Sequence, residues 1–243
     1  MVHTKEAVLM LDTPSESGES CVLGSTILRS QIVRIQFCSK MPLEVCQGEM
    51  WDVSAAHDRS ILAWAKKVFI SSKLLYELYI ASDTKIKLQN ARGLFWGYEN
   101  LCEINLDKWI DSSSVSDMSN MFCRCESLTS IDISYFDTSH TESFARMFRD
   151  CAKVEILDVS HFQTQRVLHM ENMFYGCKCL KYLDLRGFDC SKAADLSYMF
   201  YGCQSLKNVL TAKRPSDRKH RAIMIELLAG CKKLAEEKKG MGI

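Results

Sequence analysis

The sequence predicts an α/β repeat solenoid, in which parallel strands and short helices stack, with a β-rich N-terminal cap and a helical C-terminal cap. Two observations predict this fold class. A Met-Phe pair recurs with an interval of 26 residues, and a cysteine and a strand-like segment follow each pair at fixed distances. The pairs are Met121-Phe122, Met147-Phe148, Met173-Phe174 and Met199-Phe200.

The strand half of each unit begins seven residues after the Met. Apolar residues recur there at steps of three and two, and a period of 26 residues falls within the roughly 20–29 residues of leucine-rich repeats. The stack is therefore expected to be leucine-rich-repeat-like. The segments are 128–134, 154–160 and 180–186, and Phe136, Phe162 and Phe188 close them.

The Met-Phe half of each unit is expected to form a short helix. Val115, Met118 and Phe122 follow one another at spacings of three and four, which is typical of one helix face. Short oxygen-bearing side chains precede two such segments, at 137–139 and 189–191, where they would accept hydrogen bonds from the first turn.

The N-terminal region divides into a polar leader and a cap. The leader contains Pro14 and Gly18, which favour loops. Val33, Ile35 and Phe37 then alternate with polar residues, a pattern typical of a half-buried strand. The predicted divisions are 1–29 for a flexible leader, 30–92 for the N-terminal cap, 93–210 for the solenoid and 211–243 for a C-terminal capping helix.

The C-terminal region predicts a helix that closes the stack. Its apolar residues fall on one helical stripe, and it carries nine Lys or Arg against four acidic residues, while the whole chain has a net charge of +1. A basic helix of this kind is also compatible with binding to nucleic acid or to a membrane surface. We expect a capping role rather than nucleic-acid binding. The stripe consists of Met224, Leu227, Leu228, Cys231 and Leu234.

The composition excludes several classes of protein. The chain has no apolar stretch near the ~18 residues of a membrane span, and no secretion signal follows Met1, so it is expected to be cytoplasmic. Of its 12 cysteines, at least four obey the repeat period, which predicts a column of reduced packing thiols rather than a disulfide framework. These four are Cys125, Cys151, Cys177 and Cys203.

No pattern of residues points to catalysis, a metal or a cofactor. Asp132, Asp158 and Asp184 share one column, where like charges on neighbouring strands would destabilise the stack. Either hydrogen bonds from nearby Ser, Thr and backbone N–H groups or a bound cation would compensate them. Cys123-x-Cys125 lacks the spacing of a zinc site. We expect a non-enzymatic protein without cofactor or metal, the alternative being an unrecognised enzyme in the N-terminal region.

The candidate binding residues are variable outward positions of the predicted strands. Exposed aromatic side chains on a repeat surface are common binding anchors. One column contains Ile156, Tyr182 and Asn208 together with Ser130, and a neighbouring column contains Tyr135 and His161. The expected partner is a protein or peptide.

The motif resembles BspA-like leucine-rich repeat proteins, specifically those with the 26-residue mycoplasma-lipoprotein-type repeat. The resemblance covers about Leu94 to Val209 and rests on Ile131-Asp132-Ile133-Ser134 followed by Phe136-Asp137-Thr138-Ser139, with Gln163 and Gln165 as departures. It implies a bacterial repeat protein that binds other proteins, from a family whose members are often secreted or located at the cell surface.

Overall fold

The computed structural model describes residues 7–9, 23, 25–39, 50–57 and 59–211. Within these residues the chain forms ten β-strands and two one-turn 3-10 helices. The strands are β1 Ala7–Val8, β2 Ile32–Cys38, β3 Met50–Asp52, β4 Leu62–Ile70, β5 Lys73–Ala81, β6 Ile86–Lys87, β7 Glu103–Asn105, β8 Ile110–Asp111, β9 Tyr182–Leu185 and β10 Asn208–Thr211; the 3-10 helices are Arg29–Gln31 and Asp107–Trp109.

A mixed sheet in the order β3-β4-β5-β2-β7 forms the N-terminal part. β3, β4 and β5 pair in antiparallel fashion, whereas β2 is parallel to both β5 and β7. Ile35 and Phe37 of β2 are buried while Arg34 and Gln36 are partly exposed, as the alternation in the sequence predicts. The strand predicted around Val33 to Phe37 is therefore confirmed as β2.

Arg29 joins this sheet to the repeat region. Its guanidinium lies 5.2 Å from the centre of the Tyr98 ring and donates hydrogen bonds to the carbonyls of Gly93 and Trp96, at 3.0 and 2.9 Å. A buried charge is tolerated where carbonyls and an aromatic face replace its water. Arg29 therefore fixes the start of the first repeat unit against the sheet.

The 26-residue units stack on one another in register. Rings at equivalent positions pack face to face along the stack, with centroid distances of 5.3, 5.7, 5.8 and 5.6 Å. Inward residues from the strand-like segments complete a continuous core, since Leu128, Val154 and Leu180 are buried. The stacked rings belong to Phe95, Phe122, Phe148, Phe174 and Phe200.

The prediction of an α/β solenoid with short helices is wrong. The described residues contain no α-helix, and their strands lie in three separate sheets, one mixed and two parallel. Each Met-Phe segment is a series of turns. Some of its backbone N–H groups donate to carbonyls three residues earlier, and others donate to carbonyls of the next unit. The Phe122 N–H, for example, donates to the Met147 carbonyl of the next unit at 2.8 Å, whereas the Met121 N–H donates to Met118 at 3.3 Å.

Positive backbone angles also interrupt any helix in these segments. Asn120 and Arg124 have φ values of 57° and 62°, and the same two places in the next unit have 57° at Arg146 and 58° at Asp150. Left-handed residues at this interval cannot continue a right-handed helix. The three-and-four spacing of apolar residues reflects recurring tight turns, and the segments at 137–139 and 189–191 form side-chain-capped turns without a helix after them.

The predicted capping helix at 211–243 lies outside the described residues, apart from the backbone of Thr211 at the end of β10. Most of the predicted leader at 1–29 also lies outside them. Of its described part, β1 pairs with β6, and Leu9 and Leu23 are buried in the core.

Candidate functional site

The first predicted column forms a continuous row on the surface of the repeat region. Parallel bridges join Ser130 to Ile156 and Ile156 to Tyr182, and the β9–β10 pairing continues the row to Asn208. Ile156 is 70% exposed and Tyr182 is 42% exposed. We call Ser130, Ile156, Tyr182 and Asn208 the outer row.

The outer row points outward because the residues beside it point inward. Ile131, Leu157 and Leu183 follow the row members directly and are buried. In extended chain successive side chains face opposite ways, so the packing of this apolar set leaves the preceding residue of each unit in solvent. The orientation of the outer row is thus set by the core.

Tyr135 and His161 occupy equivalent positions in two successive units, with different environments. Tyr135 is 56% exposed. His161 is half-buried: its Nε2 lies 3.1 Å from the Ile133 carbonyl oxygen, and its ring meets the edge of Phe162 at 5.0 Å between centroids. Tyr135 is therefore available to a partner, whereas His161 contacts the unit before it.

The aspartate column lies on the same outward side as the outer row, two residues further along each segment. Asp158 Oδ1 accepts hydrogen bonds from the Ser160 hydroxyl and backbone N–H, at 2.7 and 2.9 Å, and these bonds hold its pKa below the usual range. The charge of Asp184 acts in the opposite direction and is outweighed. Hydrogen bonding thus compensates the like charges, as one of the two interpretations of the sequence expects.

The other two aspartates are compensated in the same way. The pKa of Asp132 is lowered by the backbone N–H and the hydroxyl of Ser134. The Arg186 side chain, which donates to both oxygens of Asp184, lowers the pKa of that carboxyl. No group of three or more His, Cys, Asp or Glu side chains in the described part of the chain is arranged to hold a metal ion.

The periodic cysteines form a buried column of thiols. The sulfurs of Cys125, Cys151 and Cys177 lie 3.0, 3.2 and 3.1 Å from main-chain carbonyl oxygens of the preceding unit, to which the thiols donate, and Cys203 repeats the contact with Phe174 at 3.0 Å. Burial raises the pKa of the Cys151 thiol well above its ordinary value. The predicted column of reduced packing thiols is confirmed, and its cysteines are unsuited to nucleophilic chemistry.

A cluster of tyrosines was not singled out from the sequence. The Tyr175 and Tyr201 rings stack at 5.3 Å between centroids, Tyr198 meets Tyr201 edge-on at 6.1 Å, and the Arg149 guanidinium lies 4.6 Å from the centre of the Tyr175 ring. The repeat frame could have revealed it, because Arg149, Tyr175 and Tyr201 each follow a Met-Phe pair. Tyr198 and Tyr201 are exposed and, with the half-buried Tyr175, form a second aromatic surface on the stack.

Comparison with known proteins places the repeat region in a family of unknown function. A family model described as "Mycoplasma protein of unknown function, DUF285" matches residues 89–213. No curated protein and no solved structure matches the chain. None of the helices in the described residues is long and apolar enough to cross a membrane.

Proposed function

The chain belongs to the family of mycoplasma proteins of unknown function, DUF285, and from that premise we propose that it is a non-enzymatic protein-interaction module. The outer row and Tyr135 are the binding surface in this proposal. The observation that carries it is the exposure of Ile156 and Tyr182 at one position of successive stacked units.

The surroundings of the outer row favour a partner that buries apolar side chains. Large apolar and aromatic residues that face solvent on a rigid support lose little side-chain entropy on binding and are common anchors of interfaces. The bridges between units hold Ile156 and Tyr182 side by side. A protein or peptide that covers both would remove a contiguous apolar strip from water.

Polar groups flank the strip on both sides and would set the orientation of the partner. Lys181 and Glu155 pair with each other on one side, and the ionised Asp158 lies on the other. Asp158 retains acceptor capacity after its bonds to Ser160, because a carboxylate has two oxygens. A peptide with an apolar segment next to a basic residue matches this arrangement.

The resemblance to BspA-like repeat proteins supports the same function. The motif that carries it, from Ile131 to Ser139, contains both the buried residues of the unit and the aspartate turns beside the outer row. We propose that the chain is a BspA-like bacterial repeat protein whose partner is recognised by residues that vary between units.

Selection of binding peptides tests the proposal. Random peptides displayed on phage would be selected on the immobilised full chain, and the affinity of the enriched peptides measured by fluorescence polarisation. We expect Ile156→Ser combined with Tyr182→Ser to weaken binding at least tenfold, the loss expected for interface anchors. Tyr201→Ser, which removes an exposed tyrosine from the other aromatic surface, should leave the affinity unchanged.

Both variants alter exposed side chains, so their melting temperatures should equal that of the parent. Equal binding of the enriched peptides by the parent and the double variant would overturn the assignment of the outer row. A selection that enriches no peptide would overturn the proposed function itself.

A further inference from the structure

The hairpin of β4 and β5 extends beyond the rest of its sheet. Pairing of β2 with β5 begins at Tyr76, and pairing of β3 with β4 ends at Trp64. The β4–β5 ladder continues without either neighbour to Ile70 and Lys73. Among the described residues, 66–75 therefore form a two-stranded projection, which we call the hairpin tip.

The hairpin tip is apolar and exposed. Phe69 is 74% exposed and Ile70 is 50% exposed, and Leu74 is exposed opposite Phe69. Cross-strand partners share a face and successive residues alternate between faces. Phe69 and Leu74 consequently point to one side of the tip, and Ile70 points to the other.

A narrow turn connects the two strands. Ser71 and Ser72 have φ values of 49° and 65°, the two positive angles of a type I′ turn. Such a turn matches the twist of the flanking strands and keeps the tip compact. The apolar side chains thus lie at the end of a slender protrusion rather than in a groove.

The charge of the hairpin tip is uniformly positive. Lys66, Lys67 and Lys73 are exposed, and no acidic residue occurs between Leu62 and Tyr76. Glu77 follows; Arg34 pairs with it at 2.9 Å and the Lys66 ammonium lies 3.9 Å from it, so the positive charge nearest the turn comes from Lys67 and Lys73. Two copies of the tip would repel each other, so the charge favours an anionic surface over self-association.

We propose that the hairpin tip inserts Phe69, Ile70 and Leu74 into the surface of an anionic lipid membrane, with its lysines against the headgroups. Lysine side chains extend apolar stems and keep the ammonium at the polar boundary, which suits this arrangement. The attraction of lysines to anionic lipid and the burial of apolar side chains add together.

The shape of the tip favours a lipid surface over a protein. Its apolar side chains point to opposite sides, so no flat protein surface covers Phe69 and Ile70 together, whereas a fluid bilayer closes around both. This binding is separate from the proposed role of the outer row, and either can fail without the other.

Sedimentation of the full chain with vesicles tests the proposal. Vesicles of phosphatidylcholine alone would be compared with vesicles containing phosphatidylglycerol, at low and at high salt. We expect binding to the anionic vesicles only, weakened by salt. Lys67→Gln and Lys73→Gln should each lower the partition coefficient about fivefold, and Phe69→Ser combined with Ile70→Ser should lower it at least tenfold.

Tyr198→Ser provides the control, because it removes an aromatic side chain that is 64% exposed, against 74% for Phe69, from a part of the repeat region outside the outer row. It should bind anionic vesicles as the parent does. Absence of vesicle binding by the parent, or equal binding by the Phe69→Ser/Ile70→Ser variant with an unchanged melting temperature, would overturn the proposal. Loss of peptide binding in that variant, with vesicle binding retained, would instead assign the tip to a protein partner.

Discussion

At the scale of single residues, burial decides which cysteines are reactive. Cys125, Cys151 and Cys177 are buried with pKa values above the ordinary range, chiefly because burial disfavours the thiolate, whereas Cys102 is exposed. We expect maleimide to label Cys102 in the native protein and the other three only after unfolding, as mass spectrometry of tryptic peptides would record. Native labelling of Cys151 at the rate of Cys102 would show that the column is open to solvent.

The aspartates that accept hydrogen bonds within their own turns make the stability of the protein depend on pH. Hydrogen bonds from Ser160 lower the pKa of Asp158 in the folded state. The ionised carboxylate therefore adds to the free energy of unfolding above the unfolded pKa of about 3.9, and this contribution is lost as pH falls through the lower folded pKa. Asp158→Asn keeps an acceptor oxygen but loses the charge. We expect it to reduce stability slightly above about pH 5, and this reduction to disappear as pH falls below the folded pKa of Asp158.

Urea melts of the parent and Asp158→Asn across this range measure the difference. The effect should be small, because the carboxylate is exposed and water screens it. A variant more stable than the parent at neutral pH would mean that repulsion along the aspartate column outweighs the hydrogen bonds.

At the scale of the element, each Met-Phe turn requires a left-handed residue near its cysteine, and Gly176 also requires space. Its φ is +72°, and a Cβ there would overlap Oδ1 of Asp150 in the preceding unit, whereas Gly97 has a φ of +77° with nothing within 4 Å of an added Cβ. We expect Gly97→Ala to cost about 1 kcal/mol from the backbone alone. Gly176→Ala should cost more.

A double-mutant cycle separates the two causes. In an Asp150→Ala background the steric conflict is gone, so Gly176→Ala should cost about as much as Gly97→Ala does in the parent, as measured by denaturant melts. The same loss from Gly176→Ala in both backgrounds would show that the backbone angle alone accounts for it.

These turns also mark the limit of what the sequence predicts at this scale. The apolar spacing of Val115, Met118 and Phe122 is shared by helices and by successive three-residue turns. The decisive difference is the partner of each N–H, and for Phe122 that partner is Met147 of the next unit. A hydrogen bond between residues so distant in sequence leaves no local signal, so the apolar spacing predicts helices that do not form.

At the scale of the molecule, the 26-residue period accounts for most of the features that the sequence predicts correctly. It identified the thiol column, the burial of the Met-Phe pairs and the outer row, because equivalent positions of stacked units share one environment. It could not reveal the Arg29 junction or the projecting hairpin, which depend on how β2 and β5 are paired. β3 and β4 lie between β2 and β5 in the sequence, so the register of β2 against β5 is set by tertiary packing rather than by a connecting turn.

The stacked rings make the core continuous, so damage to one ring should destabilise the whole stack. Phe148 is buried between Phe122 and Phe174. We expect Phe148→Ala to cost roughly 3–5 kcal/mol in denaturant melts, and Phe69→Ala, at an exposed position, to change stability by less than about 0.5 kcal/mol. Similar losses of stability from the two substitutions would contradict the burial of the stacked phenylalanine rings.

Hydrogen bonds between successive units hold the repeat region together. Native-state hydrogen exchange tests this role at the amides of Phe122, Phe148 and Phe174, which donate to Met147, Met173 and Met199 of the following units at 2.8, 2.9 and 3.0 Å. These amides should be among the slowest in the chain and exchange together, far more slowly than the amide of Ser72 in the hairpin turn. Exchange of the Phe148 amide as fast as that of Ser72, under conditions where the protein is folded, would contradict the account.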